Sequence, residues 1–290
     1  MKELEFINII KQETNSEFLG DDCAYIKDLN IVVTQDSIVE NIHFKREWIT
    51  PFQLGYKSVA VNISDVLASG AKPAFITIAL SLPKDINKTF IKEFYKGANQ
   101  ALHGAKIIGG DITGSDKIFI SICAIGKTLG RKISSRKNAK PDYVIITRGK
   151  YGLSSAGLKE LRTGGNRQDL IQAHLEPKPD VDFSETISLN IKDDYAMMDT
   201  SDGLADALFK IAQESNVTIK SKNIEGMFDA EDYNLVAAVP KDFLTQVKNL
   251  DIDIIGEVVK FNGSFLEIED KKYSSYDELK VYDHFGGDDE

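Results

Sequence analysis

An apolar run, Ala105 to Ile108, leads into Gly109-Gly110-Asp111-Ile112-Thr113-Gly114, and a second apolar run, Ile118 to Ile125, follows. The pattern reads as a glycine loop between two strands. Two glycines let the backbone pass close to a bulky ligand. The aspartate is expected at the end of a buried strand, where an unpaired carboxylate is costly. Such a loop suits a phosphate with a bound cation; a glycine turn carrying a solvated aspartate fits the stretch equally well. The arrangement returns at Ala196-Met197-Met198-Asp199-Thr200-Ser201-Asp202-Gly203, again a short apolar strand, a carboxylate at its end and a helix start. Leu204, Leu208 and Ile211 are spaced for one face of that helix. Ser201 or Asp202 can cap it, and backbone donors at a helix N-terminus also suit a phosphate.

The rest of the chain alternates in the same way. Residues 3–12 place Leu4, Ile7 and Ile10 at helical spacing. Gly20-Asp21-Asp22 is good turn chemistry before an apolar strand. A strand over 31–34 is expected to end in Gln35-Asp36-Ser37. Pro51 can open a helix running to about Ser69, whose wide apolar face also carries Asn62 and Asp65, three apart and on one side. A polar pair there is either hydrogen-bonded to a neighbouring loop or ligates a cation. A strand at Phe75–Leu82 and a helix from about Asn87 to His103 follow. The strand over 117–126 ends in Gly126-Lys127-Thr128, but Ser121 stands where a phosphate-binding Walker loop needs its first glycine, so that motif is rejected. The basic stretch 131–141 marks the expected boundary between domains at 1–138 and 139–290, and its Arg136 is a candidate phosphate contact. In the second half, Tyr143–Thr147 reads as a strand, Gly149 to Gly157 enters a helix, residues 216–234 read as irregular, and strand-like runs lie at 235–239 and 254–259. This alternation argues for a two-domain α/β or α+β protein, and 290 residues suffice for it.

Bulk properties narrow the function classes. A net charge of −10 argues against a nucleic-acid partner. No apolar run approaches a membrane span, the N-terminal stretch lacks a signal-peptide core, and two cysteines in no metal spacing make a reducing cytoplasm the default. The four histidines form no zinc pattern, and no Ser–His or Cys–His catalytic pair is evident. What the chain does have is carboxylates, Asp21, Asp22, Asp36, Asp65, Asp111, Asp199 and Asp202, all at element ends or on an apolar helix. Hard oxygen ligands of this kind hold Mg²⁺ with phosphate oxygens completing the shell, and such a site suits phosphoryl transfer.

These stretches, together with Asn41-Ile42-His43-Phe44, Arg136-Lys137-Asn138-Ala139-Lys140-Pro141, Glu231-Asp232-Tyr233 and Tyr282-Asp283-His284-Phe285, resemble the thiamine-monophosphate kinase family in the same order along nearly the whole chain. That family belongs with aminoimidazole ribonucleotide synthetase and selenophosphate synthetase. The resemblance implies a two-domain aminoimidazole ribonucleotide synthetase-like fold, an N-terminal sheet domain that pairs in a homodimer plus a C-terminal α/β domain. It implies phosphorylation of thiamine monophosphate to thiamine diphosphate by ATP with several Mg²⁺ ions. By motif, Asp22, Thr34, Gln35, Asp36, Asp65, Asp111, Asp199 and Asp202 would serve the metals. Tyr95, Gly110, Asp111, Arg136 and Ser201 would face ATP, and His43, Glu231 and Tyr282 the thiamine phosphate. The chain departs from the family at Asp229-Ala230 and Asn234 and has a short segment between Asn216 and Glu231, all on the substrate side. The alternative is a drifted relative that binds nucleotide and Mg²⁺ but uses another small phosphate acceptor or none.

Overall fold

The protein is described by a computed structural model over residues 3–247 and 249–281. Helix α1 (Glu3–Thr14) lies on the surface with Ile7, Ile9 and Ile10 exposed. Strands β1 (Ala24–Ile26) and β2 (Ile31–Val39) follow. Helix α2 (Pro51–Ala68) opens with a reciprocal cap: the Thr50 hydroxyl accepts the Gln53 N–H, and the Gln53 side chain accepts the Thr50 N–H. Proline at its first position has no N–H to lose there. From Leu54 to Ala68 every residue of α2 is buried except Asp65. A helix with so wide an apolar surface must sit inside the protein, and α2 does so between two sheets, with Lys57, Asn62 and Ser64 buried among its apolar residues.

Strand β3 (Lys72–Leu82), helix α3 (Lys88–Gln100), β4 (Lys106–Gly114) and β5 (Phe119–Lys127) complete the first half. The first sheet has the order β1-β2-β5-β3-β4, antiparallel except for the parallel pair β3–β4. Helices α2 and α3 pack closely because Gly55 and Gly97 meet the opposite backbone: a Cβ at Gly55 would stand 1.9 Å from the Phe94 carbonyl oxygen.

The second half holds β6 (Tyr143–Thr147), α4 (Leu153–Thr163), α5 (Gln168–Leu175), α6 (Val181–Asn190), β7 (Ala196–Asp199), α7 (Leu204–Ser215), β8 (Val217–Ser221), β9 (Leu235–Pro240), β10 (Asp253–Lys260), β11 (Leu266–Ile268) and β12 (Lys271–Tyr273). They form a seven-stranded mixed sheet, β12-β11-β8-β10-β6-β9-β7. Its centre is covered on both faces, so β6 reads as an unbroken apolar run. Val144 and Ile146 join the core shared with α2, α6 and the first sheet, while Tyr143 and Ile145 join the core under α7.

Four expectations are corrected. The Gly109–Gly114 stretch is not a loop; it lies within β4, an exposed edge strand, so Asp111 is not at the end of a buried one. A Cβ at Gly110 would come 1.8 Å from the Ile78 carbonyl oxygen, so this glycine answers strand packing. Gln35-Asp36-Ser37 lies inside β2, which continues to Val39 because it pairs with β5 along its whole length. Residues 217–221 form a strand, β8, within the segment read as irregular. Neither Ser201 nor Asp202 caps α7; Gly203 occupies that position.

Candidate functional site

The two sheets bring carboxylates together around Asp65, the one position of α2 after Phe52 and Gln53 that is not fully buried. Asp22 from the loop before β1, Asp65 from α2 and Asp199 from the end of β7 each offer an oxygen within 4.8 Å of the others. Helix α2 positions two of the three. On one side, Asn62 Oδ1 accepts the Asp36 N–H at 3.1 Å and Asp65 Oδ2 accepts the Thr34 hydroxyl at 2.7 Å, which ties α2 to β2. On the other, the Ser64 hydroxyl donates to Asp199 Oδ2 at 2.6 Å and ties α2 to β7.

Three carboxylates this close repel one another. Burial, then Asp36, Asp199 and Asp22, push the Asp65 carboxyl well above the usual range. Burial, then Asp22, push Asp199 up to about 7. Among the described residues, the salt-bridge partner of this cluster is Arg136, which donates to Asp22 at 2.8 Å. Burial works against its charge, but Asp22 outweighs it and the guanidinium is held still more firmly protonated. Its Nε is buried and has no hydrogen-bond partner among the described residues. Asp21 holds this residue in place, accepting the Arg136 N–H at 2.6 Å and the Ser135 hydroxyl at 2.7 Å. The Asp21-Asp22 pair is therefore a docking device for the 135–136 segment as well as half of an acidic centre. Carboxylate oxygens with too few protein cations, joined by a hydroxyl donor, are a donor set that fits a hard divalent cation.

The expected metal residues separate into groups. Thr34 and Asp36 share the α2-facing side of β2 with the cluster. The Gln35 side chain points to the opposite side by strand alternation and donates to Ser121 at 3.1 Å, so it is not brought to the three carboxylates. Asp111 pairs across Ala79 with Ser121, which places it on that same outer face. Asp202 is taken by Lys210 at 3.1 Å, and Lys210 also meets buried Asp206 at 2.9 Å, whose other oxygen accepts the Tyr276 hydroxyl. Of the expected ATP contacts, Arg136 is in the cluster, and the Ser201 N–H reaches Asp199 at 3.4 Å. Gly110 is in the edge strand, and Tyr95 lies on α3 against the Phe94 ring.

On the substrate side, Glu231 adopts a left-handed backbone (φ 65) and donates its N–H to the Ser201 carbonyl at 2.7 Å. Its carboxylate meets Lys57 Nζ and His174 Nδ1, both at 3.3 Å. Burial works against its charge, but Lys57 and then His174 outweigh it and hold Glu231 below the usual range. Burial and then Lys57 lower His174 to about 4, so that imidazole is neutral. His43 Nδ1 accepts the Val39 N–H at 3.1 Å, which leaves the proton on Nε2. Tyr282 lies outside the described residues. Sequence reading missed Lys57, Ser64, His174 and Lys210. The signal for the first two was a lysine and a serine seven apart on a predominantly apolar helix.

A two-domain fold with an acidic centre between its sheets defines the class. Residues 20–128 match the family described as AIR synthase related protein, N-terminal domain. The thiamine-monophosphate kinase of Aquifex aeolicus is 32% identical over 91% of this chain and 94% of its own length. That of Bacillus subtilis is 30% identical over 92% and 93%. A solved structure of AaThiL complexed with AMPPCP and TMP superposes with a TM-score of 0.87 at 30% identity, covering 98% of this chain and 97% of that one. The chain belongs to the thiamine-monophosphate kinase family.

Proposed function

We propose that this protein transfers the γ-phosphoryl group of ATP to thiamine monophosphate, giving thiamine diphosphate and ADP. The carrying observation is the Asp22–Asp65–Asp199 cluster facing Arg136, in a chain that spans its relatives almost end to end. The bond from the γ-phosphorus to the β,γ-bridging oxygen breaks, and one forms to a terminal oxygen of the substrate phosphate. That oxygen is already anionic, so no base is required, in keeping with the absence of a catalytic His or Cys pair from the sequence motifs. The difficulty is the meeting of two anions. Mg²⁺ held by Asp22, Asp65 and Asp199, with Thr34 and Asp36 beside them, would supply the charge neutralisation. Arg136 offers its Nε–H to a phosphate oxygen, and Ser201 lies where the α7 N-terminus meets the cluster. His43 and Glu231 take the organic part of the substrate, and Tyr282 is proposed for the same pocket. On this side Asn234 donates to the Lys150 carbonyl, and Asp232 accepts the Gly152 and Ser154 N–H groups at the start of α4.

Gly110, Asp111, Gln35 and Tyr95 lie apart from the cluster, and their proposed roles require a second subunit. The chain is proposed to act as a homodimer through the first sheet, whose edge strand β4 exposes Ile108 and Ile112. We place the domain boundary at 138/139 and the enzyme in the cytoplasm; no helix among the described residues is long and apolar enough to cross a membrane. The test is direct detection of thiamine diphosphate from ATP, Mg²⁺ and thiamine monophosphate. Product lost on chelation and lost in Asp65→Asn with the fold retained is the expected result. No product from the wild-type protein that still binds ATP overturns the assignment of the acceptor.

A further inference from the structure

Lys57 is an ammonium inside the protein. It sits on a helix buried on both sides of it, its residue is 1% exposed, and its Nζ has no hydrogen-bond partner among the described residues. Among the described residues its ion-pair partner is Glu231 Oε1 at 3.3 Å. A lone buried ammonium is among the least favourable groups a core can hold, and a buried pair between packed elements is weak as a source of stability. The other Glu231 oxygen faces His174 Nδ1 at 3.3 Å, and the same nitrogen lies 3.0 Å from the Ser154 hydroxyl. Helices α2 and α5 thus meet at one carboxylate, with α4 bracing His174.

Position along α2 gives the arrangement its meaning. Lys57 and Asp65 are eight residues apart, about 12 Å along the helix axis. The acidic centre where the phosphates meet is at the Asp65 end. A substrate with its phosphate there and a body of about that length brings its far end to Glu231, whose side chain is 25% exposed and whose N–H meets the Ser201 carbonyl two residues from Asp199. In thiamine monophosphate that far end is the aminopyrimidine, which presents an N–H donor.

We infer that Lys57 is a positioning residue: together with His174 it orients the Glu231 carboxylate as an acceptor for the amino-heterocycle end of the substrate, and so sets substrate specificity without touching the transferred phosphate. The inference rests on the kinase reading and on Glu231 as a substrate contact. The groups facing Glu231 are Lys57 from α2, His174 from α5, His43 from the loop after β2, and Tyr233. Lys57 supplies the ammonium of the ion pair. A carboxylate without that charge is left to burial, which raises its pKa; as pH falls it becomes protonated, loses acceptor capacity and binds the amino group less well.

The experiment is steady-state kinetics on the full chain for Lys57→Met, Lys57→Arg, Glu231→Gln and the double variant Lys57→Met/Glu231→Gln. Lys57→Met is expected to raise KM for thiamine monophosphate about tenfold while kcat and KM for ATP stay within about twofold. Its KM for thiamine monophosphate should worsen as pH falls, where the wild-type value stays flat, and Lys57→Arg should recover most of the loss. Because Lys57 acts through Glu231, the double variant should match Glu231→Gln alone, and having no unpaired charge it keeps the test open if Lys57→Met does not fold. An unchanged KM in Lys57→Met, equal rises for both substrates, or additive losses in the double variant overturns the inference alone. If Glu231→Gln leaves KM for thiamine monophosphate unchanged, the assignment of Glu231 has failed and the inference falls with it.

Discussion

Neutralising Asp199 should make the metal-free protein more stable and the enzyme inactive. Asp199 is 1% exposed and held at about pKa 7 by burial first and Asp22 second, against an ordinary 3.8. The folded state therefore binds a proton more tightly than the unfolded chain. Stability from this group is intact below the unfolded pKa and declines as pH rises toward the folded one. Three pKa units correspond to about 4 kcal/mol at full ionisation. Relative to Asp199→Asn, the wild-type deficit should grow from about 1 kcal/mol near pH ~4.5 to about 4 kcal/mol by pH ~8. The Ser64 hydroxyl can still donate to the amide oxygen of asparagine, at a loss of about 1 kcal/mol because the acceptor is no longer charged. A net gain of about 3 kcal/mol at pH ~8 follows, a rise in Tm of several degrees for a chain of this size. The assay is thermal unfolding of both proteins in a chelator across this pH range, with turnover measured in Mg²⁺. An Asp199→Asn variant equally or less stable than wild type at the alkaline end, or a pH-independent difference, refutes the electrostatic reasoning.

Other perturbations have equally definite outcomes. Arg136→Met leaves Asp22 without its buried partner; it should cost about 3 kcal/mol in chelator, recover in part with Mg²⁺ and weaken ATP binding, as read by denaturant melts and calorimetric titration. Gly110→Ala forces a Cβ to 1.8 Å from the Ile78 carbonyl; it should lower the urea midpoint by an amount equivalent to more than about 2 kcal/mol, whereas Gly109→Ala, with open space at its Cβ, should lose much less.

Much of the architecture was legible locally. The limits of α2, the Asn87 start of α3, β6 and the β7–α7 passage follow from a capping box, a proline, an asparagine cap and apolar runs. The glycine stretch at 109–114 was misread because it pairs as a strand with β3, where Gly110 answers a neighbour remote in sequence, the Ile78 carbonyl. The true length of β2 and the existence of β8 were also hidden, since both are set by partner strands, β5 for one and β10 and β11 for the other. Asp36, placed at a strand end by turn-like neighbours, sits mid-strand for the same reason.

The sequence by itself determined the element types, the family and an inventory of oxygen ligands, because caps, periodicity and turn chemistry act over a few residues. Which ligands meet was decided by tertiary structure. Asp22, Asp65 and Asp199 converge because α2 hydrogen-bonds to β2 through one stripe of side chains and to β7 through another. Gln35, adjacent to Asp36, is excluded by the two-residue alternation of a strand once β2 is packed on α2. Lys57 and His174, which carry no motif, enter the site because α2 and α5 close on Glu231. Proximity across a long chain comes from burying apolar faces together, and no local pattern encodes which polar groups that burial brings into contact.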